Sequence, residues 1–388
     1  MYGLSTEQLV GLYNNARKWF TLGNFLVGPV TFFIDAPFGR FTPAEGSFFH
    51  GMFLVDGIKA WIVMELVSPT FFLYTFFNAP LSGGVVPSVT LGSPLSLLVG
   101  AYFIHYLNRA ILSPLRTPSR SKAHLITPAI AVVFNTFNGS LLGAFFSSPD
   151  APQYSAFSRT SFWVGLALWA WGFVGNVVHD EILLNLRRKS NSKGKAKESN
   201  ETVKGTATNG QLNGHTNGHA NGKVNGYTNG TASGGSANGT ANGKANGNAN
   251  GNANGKRTNG HANGKTNGES KSVGEHYAIP YGLLYQWISY PNYFCEWIEW
   301  LGFAIAADPR LLNAAVSGSR AILQPATWKT ALTGPAAAFF PLLSPPWIFF
   351  FAEIILMYPR AYRGHLWYLN KFRDSYPKER RIVIPFLH

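Results

Sequence analysis

SYPNYFCEWIEW, residues 289–300, is the stretch that decides the fold. It lies inside an apolar run over about residues 283–306, which is long enough to cross or nearly cross a bilayer. Asn292, Glu296 and Glu299 are spaced i, i+4 and i+7, so they share one face of a helix. Because a carboxylate in hydrocarbon is expensive, such acids usually face a bundle interior or a wet cavity. The stretch predicts one wall of a polar pocket; the alternative is an interfacial helix whose acids reach headgroup water.

The overall composition is that of a membrane protein diluted by a polar segment. Charged residues make up 13% of the 388 residues and aromatic residues 15%, including 30 Phe and 11 Trp. The mean hydropathy of +0.01 understates this character, because residues 188–274 contain almost no apolar side chain except scattered Ala. Outside that segment the chain has the composition of a polytopic membrane protein.

Several classes of protein are excluded by composition. The net charge of +14 fits nucleic-acid binding in principle, but the apolar spans make membrane topology the better explanation, so no nucleic-acid partner is predicted. The lone cysteine, Cys295, excludes a disulfide framework and a cysteine-based zinc site, and no metal is predicted. The first residues, MYGLSTEQLV, lack the basic and apolar regions of a cleavable signal peptide.

Apolar segments alternate with loops of different charge, which predicts a membrane topology. The loop 113–123, the loop 180–282 and the C-terminal tail are basic and are therefore predicted to be cytosolic. The fold class predicted is an all-α integral membrane protein, a seven-transmembrane helix bundle with a disordered cytosolic insert. The seven segments run over about residues 20–34, 60–78, 92–113, 124–147, 160–179, 283–306 and 335–357.

The insert, residues 188–274, is low in complexity and repeats the dipeptide Asn-Gly, as in NGHANGKVNGYTNG. Such a segment buries too little surface to offset the entropy lost on ordering, so it is predicted to be a disordered loop. A role as a tether to a lipid surface or a partner is the alternative. The predicted division is residues 1–187 with five helices and the catalytic pocket, the insert, and residues 275–388 with two helices and a cofactor-binding tail.

Polar residues recur inside the other apolar segments at similar membrane depth. Glu65 interrupts the second segment, FIHYLNRAILSPLR ends the third, and FNTFNG lies in the fourth. In the fifth, Asn176, Asp180 and Arg187 recur at i, i+4 and i+11 and share a helix face. Together they predict a shared polar cavity with a cytosolic mouth. Four arginines would line that mouth and suit an anionic ligand with phosphate groups: Arg109, Arg116, Arg187 and Arg360.

Long motifs give the chain a family resemblance. HYLNRAILSPLR, GNVVHDEILLNLR, SYPNYFCEWIEWLGFA and YPRAYRGHLWYLNKFRDSYPKERRIVIPF resemble the steroid 5α-reductase family, especially its plant-type members. The resemblance implies a seven-helix bundle in the endoplasmic reticulum membrane that binds NADPH from the cytosol. The implied reaction is reduction of the C4–C5 double bond of a 3-oxo-Δ4 steroid, with hydride delivered to the β-carbon.

The resemblance also implies roles for individual residues. Glu65 matches the family's acid that faces the 3-keto group, and a buried acid of this kind can be a neutral donor. Tyr106 matches its tyrosine proton donor. No Gly-x-Gly-x-x-Gly fingerprint is present, so the cofactor site would not be a Rossmann site. The cofactor-binding residues implied are Asn176, Asp180, Arg187, Asn292, Glu296, Arg360 and Tyr368, and Glu299 lies one turn further on in the same motif.

Three departures from the family pattern keep other activities open. Met64 stands where relatives often carry Gln beside the steroid, and Ala278 and Gly364 stand where some animal relatives have Arg and His. Because of Met64, a trans-2-enoyl-CoA or polyprenal-type reductase of the same superfamily is the first alternative, whereas Ala278 and Gly364 concern the cofactor contacts. A non-catalytic lipid-binding or transport protein is the second. In each case the bilayer and a hydrophobic lipid are the predicted partners, and no obligate protein partner is evident.

Overall fold

A computed structural model describes residues 3–34, 53–207, 277–320 and 324–387, and this part of the chain is mostly helical. A single two-residue antiparallel strand pair is present within the described residues, β1 (Leu54–Val55) with β2 (Ala123–His124). The longer helices are α1 (Thr6–Val30), α2 (Gly57–Asn78), α3 (Pro94–Tyr106), α5 (Ile126–Phe146), α7 (Thr160–Ala207), α8 (Pro291–Ala307) and α11 (Pro345–Phe372). The shorter ones are α4 (Ser113–Arg116), α6 (Ala151–Tyr154), α9 (Arg310–Val316) and α10 (Pro325–Thr333).

Four described segments are long and apolar enough to cross a membrane: Gly57–Ser82, Pro94–Arg116, Ile126–Phe146 and Thr160–Lys189. They coincide with the second to fifth predicted segments, and the mostly helical structure is consistent with the predicted membrane protein. The other three predicted segments fall in α1, α8 and α11. The helix α8 has only 17 residues, while Glu353 and Arg360 interrupt the apolar part of α11. The count of seven spans stays a prediction.

Two basic residues of α1 are buried against backbone carbonyl groups. Arg17 donates to the carbonyls of Phe339 and Phe340, and Lys18 donates to those of Leu332 and Gly334. Both cations are therefore committed to contacts inside the protein, including the carbonyls that α10 leaves unpaired at its end. With seven crossings and a cytosolic C-terminus the N-terminus would be luminal, where basic residues are disfavoured, and these contacts account for the two positive charges there.

Small residues let α5 lie directly on α2. The pattern Gly-x-x-x-Gly places Gly139 and Gly143 one turn apart on the same face of α5. A Cβ atom at Gly139 would lie 2.1 Å from the Ser68 carbonyl oxygen, and one at Gly143 would lie 2.4 Å from that of Phe72. Only glycine permits this approach, which is the usual way for membrane helices to pack closely. The contact brings Asn135 and Asn138 of α5 against the polar face of α2.

An aromatic core fills the space between α2, α3, α8 and α11. Tyr102 stacks on Phe72 with centroids 4.6 Å apart, and Trp300 packs edge to face against Phe349 at 4.5 Å. These rings are almost fully buried. Between helices in lipid, close packing of such rings stabilises the bundle, and aromatic geometry adds about 0.5–1.5 kcal/mol per pair. The polar side chains of the same helices adjoin this aromatic core.

The helix α7 continues beyond the predicted start of the insert. Chain contacts separate two units, Met1–Lys195 with Glu275–His388, and Ala196–Gly274. Residues 188–207, predicted as the start of the disordered segment, are helical. Residues 208–276 lie outside the described residues, so the insert's disorder and the domain division remain predictions.

Candidate active site

Arg109 lies at the centre of a buried polar cluster. It follows α3 in a π-helical turn, Leu107–Leu112, a feature that often marks functional sites. Its Nε atom lies 3.3 Å from Oε1 of Glu65, and its Nη1 atom lies 3.3 Å from Oε1 of Glu296. The prediction that Arg109 lines the mouth is therefore wrong. Its side chain turns inward because two buried carboxylates, from α2 and α8, face the π turn.

A second buried pair lies beside the first. His105 Nδ1 is 2.6 Å from Glu299 Oε1, and the Glu299 side chain is fully buried. The other oxygen of Glu299 has no hydrogen-bond partner within the described residues, and neither does Oδ1 of Asn176 on α7. Buried polar atoms of this kind are uncommon, so each needs an explanation such as a ligand. Both acids of α8 therefore face the bundle interior, as predicted, and not headgroup water.

Tyr106 belongs to a small hydroxyl and amide network. Its hydroxyl accepts from Asn138 Nδ2 at 3.5 Å, and the same amide donates to Ser68 Oγ at 3.3 Å. The Ser68 and Tyr102 hydroxyls lie 2.8 Å apart. Because Ser68 is one turn after Glu65 on α2, the two predicted catalytic residues are brought to the same part of the bundle.

The predicted cofactor residues of α7 and α8 meet each other. Asn292 Nδ2 donates to Asp180 Oδ1 at 3.0 Å. Asn176 lies one turn further into the bundle, and Arg187 lies seven residues the other way, about 10 Å along the helix. No hydrogen bond or ion pair of the Arg187 side chain occurs within the described part of the chain. The mouth is defined here as the end of the helices that carries Arg116, Arg187 and Arg360.

Arg116 and an arginine that the sequence did not single out also lie at the mouth. Arg116 is exposed and pairs with Glu181 at 3.4 Å, and Glu181 also pairs with Arg188. The Arg120 guanidinium lies over the Trp61 ring at 3.9 Å. Burial, and then the charge of nearby Arg187, lowers the pKa of Arg120 to about 10. A cation held without a carboxylate partner in the described residues suits an anionic ligand. The only sequence signal for it was its place in the basic loop 113–123.

The last predicted residues lie on α11. Arg360 is half-buried, and Tyr368 is buried with its ring stacked on Tyr376 at 5.3 Å. Both are on the part of α11 that adjoins the start of α8, since a Cβ atom at Gly364 would lie 1.6 Å from the Tyr290 hydroxyl. Every predicted site residue is therefore described. Glu65 of α2 and Glu296 of α8 share Arg109, whereas Tyr106 of α3 contacts Asn138 of α5.

Comparison with known proteins assigns the chain to a family. The profile of 3-oxo-5-alpha-steroid 4-dehydrogenase matches residues 121–197, 255–316 and 338–388. An uncharacterized protein of Schizosaccharomyces pombe is 31% identical over 383 residues, which cover 97% of this chain and 98% of the relative. The chain belongs to the 3-oxo-5-alpha-steroid 4-dehydrogenase family. The predicted family and the predicted enzyme class, an oxidoreductase acting on CH–CH groups with NADP, are thus confirmed.

Named relatives of this family member come from animals and plants. A 3-oxo-5-alpha-steroid 4-dehydrogenase 1 of Rattus norvegicus is 24% identical over 355 residues, covering 91% of this chain and 87% of the relative. A steroid 5-alpha-reductase DET2 of Solanum lycopersicum is 26% identical over 363 residues, covering 92% and 89%. The match to the plant enzyme agrees with the predicted plant-type resemblance.

In this member of the 3-oxo-5-alpha-steroid 4-dehydrogenase family a buried hydroxyl fastens the C-terminal tail to α8. Ser289 Oγ lies 2.6 Å from His365 Nδ1 and 2.7 Å from the Tyr376 hydroxyl. The backbone N–H groups of Ser289 and Tyr290 donate to carbonyls of the tail. Burial, and then Arg380, lowers the pKa of His365, so its ring is neutral at pH 7. Sequence patterns missed this contact because it joins distant segments.

Proposed function

We propose that this protein is an NADPH-dependent reductase of the C4–C5 double bond of a 3-oxo-Δ4 steroid or a similar hydrophobic enone. The observation that carries the proposal is that Glu65 and Tyr106 belong to two neighbouring buried polar groups in a member of this family: Glu65 pairs with Arg109, and the Asn138 amide bonds both Tyr106 and Ser68, one turn after Glu65 on α2. NADPH, when bound, supplies the hydride that reaches the β-carbon. As the enone electrons move onto the keto oxygen, a positioned donor in a dry site stabilises the enolate.

The residues divide that work between them. Tyr106 donates its O–H to the keto oxygen, while Asn138, which bonds both Tyr106 and Ser68, holds the hydroxyl in place. Arg109 fixes Glu65 at the same centre through the contact to its Oε1 atom. The surrounding aromatic residues exclude water, so that the donor acts in a medium of low dielectric constant.

The polar groups around this centre fit the cofactor. Asn176 and Glu299 each carry a buried oxygen without a partner, which suits amide or hydroxyl donors of a nucleotide. At the mouth, Arg120 and Arg187 suit its phosphates. The cofactor residues proposed are Arg116, Asn176, Asp180, Arg187, Asn292, Glu296, Arg360 and Tyr368, with Arg120 added. The protein would be a multi-pass protein of the endoplasmic reticulum membrane. The mouth, residues 188–274 and the C-terminus would all face the cytosol.

A substrate panel tests the proposal. Purified full-length protein with NADPH is expected to reduce 3-oxo-Δ4 steroids and to leave trans-2-enoyl-CoAs and polyprenals unchanged. NADPH oxidation and product mass are the measurements, with heat-denatured protein as the control. Reduction of only an enoyl-CoA or a polyprenal would favour the sister activity, whereas failure to bind NADPH would favour a lipid-binding or transport protein.

The mouth is tested by Arg187→Ala. Loss of a charge-assisted phosphate contact of about 1.5–3 kcal/mol is expected to raise the NADPH concentration needed for half-maximal rate about 10- to 100-fold. Turnover at saturating NADPH is expected to change little, because Arg187 lies about 10 Å from Asp180 on the side away from the bundle interior. Arg320→Ala, which removes an exposed arginine far along the chain, is the matched control. Unchanged NADPH dependence would remove Arg187 from the site.

A further inference from the structure

Glu353, a residue not assigned to the site so far, lies on the face of α11 that contacts α8. One contact is Phe349 with Trp300, and another is Gly364 with Tyr290. At about 100° per residue, Glu353 is about 40° from Phe349 and about 20° from Gly364 around the helix. It therefore lies between two residues that both touch α8. Its carboxyl group is directed toward α8 and not toward the surrounding lipid.

The level of Glu353 along the bundle follows from the antiparallel pairing of α8 and α11. Trp347 Nε1 donates to the Asp308 carbonyl at 2.8 Å near one end, and Ser289 bonds His365 near the other. Glu353 is one turn from Phe349 toward the mouth, so it is level with the residue one turn before Trp300. That residue is Glu296. Of the charged groups around Glu353, Glu296 acts on it most strongly, ahead of Arg109 and Glu65.

Glu353 adds a fourth carboxyl group to a cluster that contains few cations. Its carboxyl group makes no hydrogen bond or ion pair with any described residue. Counting Glu65, Glu296 and Glu299, four carboxyl groups share one guanidinium, Arg109, and one imidazole, His105. Taking unpaired acids into a membrane interior is costly, so their retention needs a ligand whose charge they complement.

Charge changes sign along the site. Arg360 is seven residues after Glu353 on α11, on nearly the same face and about 10 Å closer to the mouth. On α7, Arg187 stands in the same relation to Asp180. The mouth is thus cationic, and the interior is acidic. A nicotinamide dinucleotide phosphate has the matching polarity, since it is anionic at its phosphates, and its nicotinamide ring becomes cationic when oxidised.

We propose that Glu353 stabilises the positive charge that forms on the nicotinamide ring during hydride transfer; this rests on the proposed function. The hydride leaves the ring with both bonding electrons and forms a C–H bond at the β-carbon. The C=C pair becomes the double bond of an enolate, and the C=O pair moves onto the keto oxygen, which takes a proton from Tyr106 to give an enol and a tyrosinate. The enol then returns that proton to Tyr106 as its α-carbon takes one proton from water, and the ring would be left with one positive charge. Glu353 forms and breaks no bond in this step. A positive charge on the ring would favour the ionised form of Glu353, so the stabilisation by its carboxylate is greatest after the hydride has departed.

Glu353→Gln tests the proposal, because it preserves size and removes the charge. Full-length protein in detergent is titrated with NADPH by fluorescence, and NADP⁺ is measured by displacement. The ratio of NADP⁺ affinity to NADPH affinity is expected to fall about tenfold, with the NADPH constant within about twofold of the parent value, and turnover on a steroid enone is expected to fall similarly. Glu379→Gln, the same change at an exposed tail position, is expected to leave the ratio unchanged.

The outcomes separate this proposal from the function on which it rests. A parent that binds NADPH and reduces a steroid, with a Glu353→Gln variant of unchanged ratio and turnover, would overturn the role of Glu353 alone. A parent that binds neither nucleotide would overturn both. If Glu353→Gln is not recovered folded, Glu353→Asp moves the charge by one methylene. The ratio is then expected to fall about threefold, and an unchanged ratio would contradict the proposal.

Discussion

Tyr106→Phe is expected to lower turnover by about 10²–10³ at saturating NADPH, the usual loss when one donor to a developing oxyanion is removed. The substitution removes one hydroxyl and preserves the ring, whose centroid lies 4.8 Å from that of Tyr102 and 5.2 Å from that of His105. NADPH affinity is therefore expected to stay close to the parent value. Single-turnover reduction of a steroid enone, with NADPH binding measured separately, distinguishes the two quantities.

Two other tyrosines provide controls for that result. Tyr74→Phe removes an exposed hydroxyl from α2 and is expected to leave turnover unchanged. Tyr102→Phe removes a hydroxyl that contacts Ser68 at 2.8 Å, so its effect is expected to be smaller and to arise through the position of the network. If Tyr106→Phe retains full turnover, Tyr106 is not the donor, and another group has to protonate the enolate.

Helix periodicity was sufficient to predict the polar face of α8. In any α-helix, residues spaced i, i+4 and i+7 lie on the same face, so Asn292, Glu296 and Glu299 were expected to point to one side of α8. The structure gives each a different partner, namely Asp180, Arg109 and His105. The same reasoning placed Asn176, Asp180 and Arg187 on one face of α7. Membrane spans two to five followed from apolar length alone.

Tertiary contacts decided what the sequence left open. Arg109 resembles any other arginine at the end of an apolar segment, and such residues commonly extend to the interface. Its inward direction depends on carboxylates 44 residues before it and 187 residues after it in the chain. Ser289 was missed for the same reason, because its partner His365 lies on α11. Glu353 was missed because the charged groups near it belong to other helices. Local patterns contain no information about pairings of that separation.

Arg109→Met is expected to destabilise the protein by about 3 kcal/mol or more. The substitution leaves Glu65 and Glu296 buried without their shared cation, and breaking a buried ion pair from one side has a cost of this size. The measurement is the apparent melting temperature of purified protein in one detergent. Arg116→Met is the matched control: its pair with Glu181 is exposed, so the expected loss is about 1 kcal/mol or less.

A triple variant separates the electrostatic explanation from a simple loss of packing. Adding Glu65→Gln and Glu296→Gln to Arg109→Met removes both stranded charges, so most of the lost thermal stability is expected to return. Reductase activity is not expected to return, because the proposed site still lacks Glu65. If the triple variant melts as low as Arg109→Met alone, the stability of this region depends on the volume of the arginine side chain. The charges of the cluster would then contribute nothing to stability, and only ligand binding would explain why charged residues are present there.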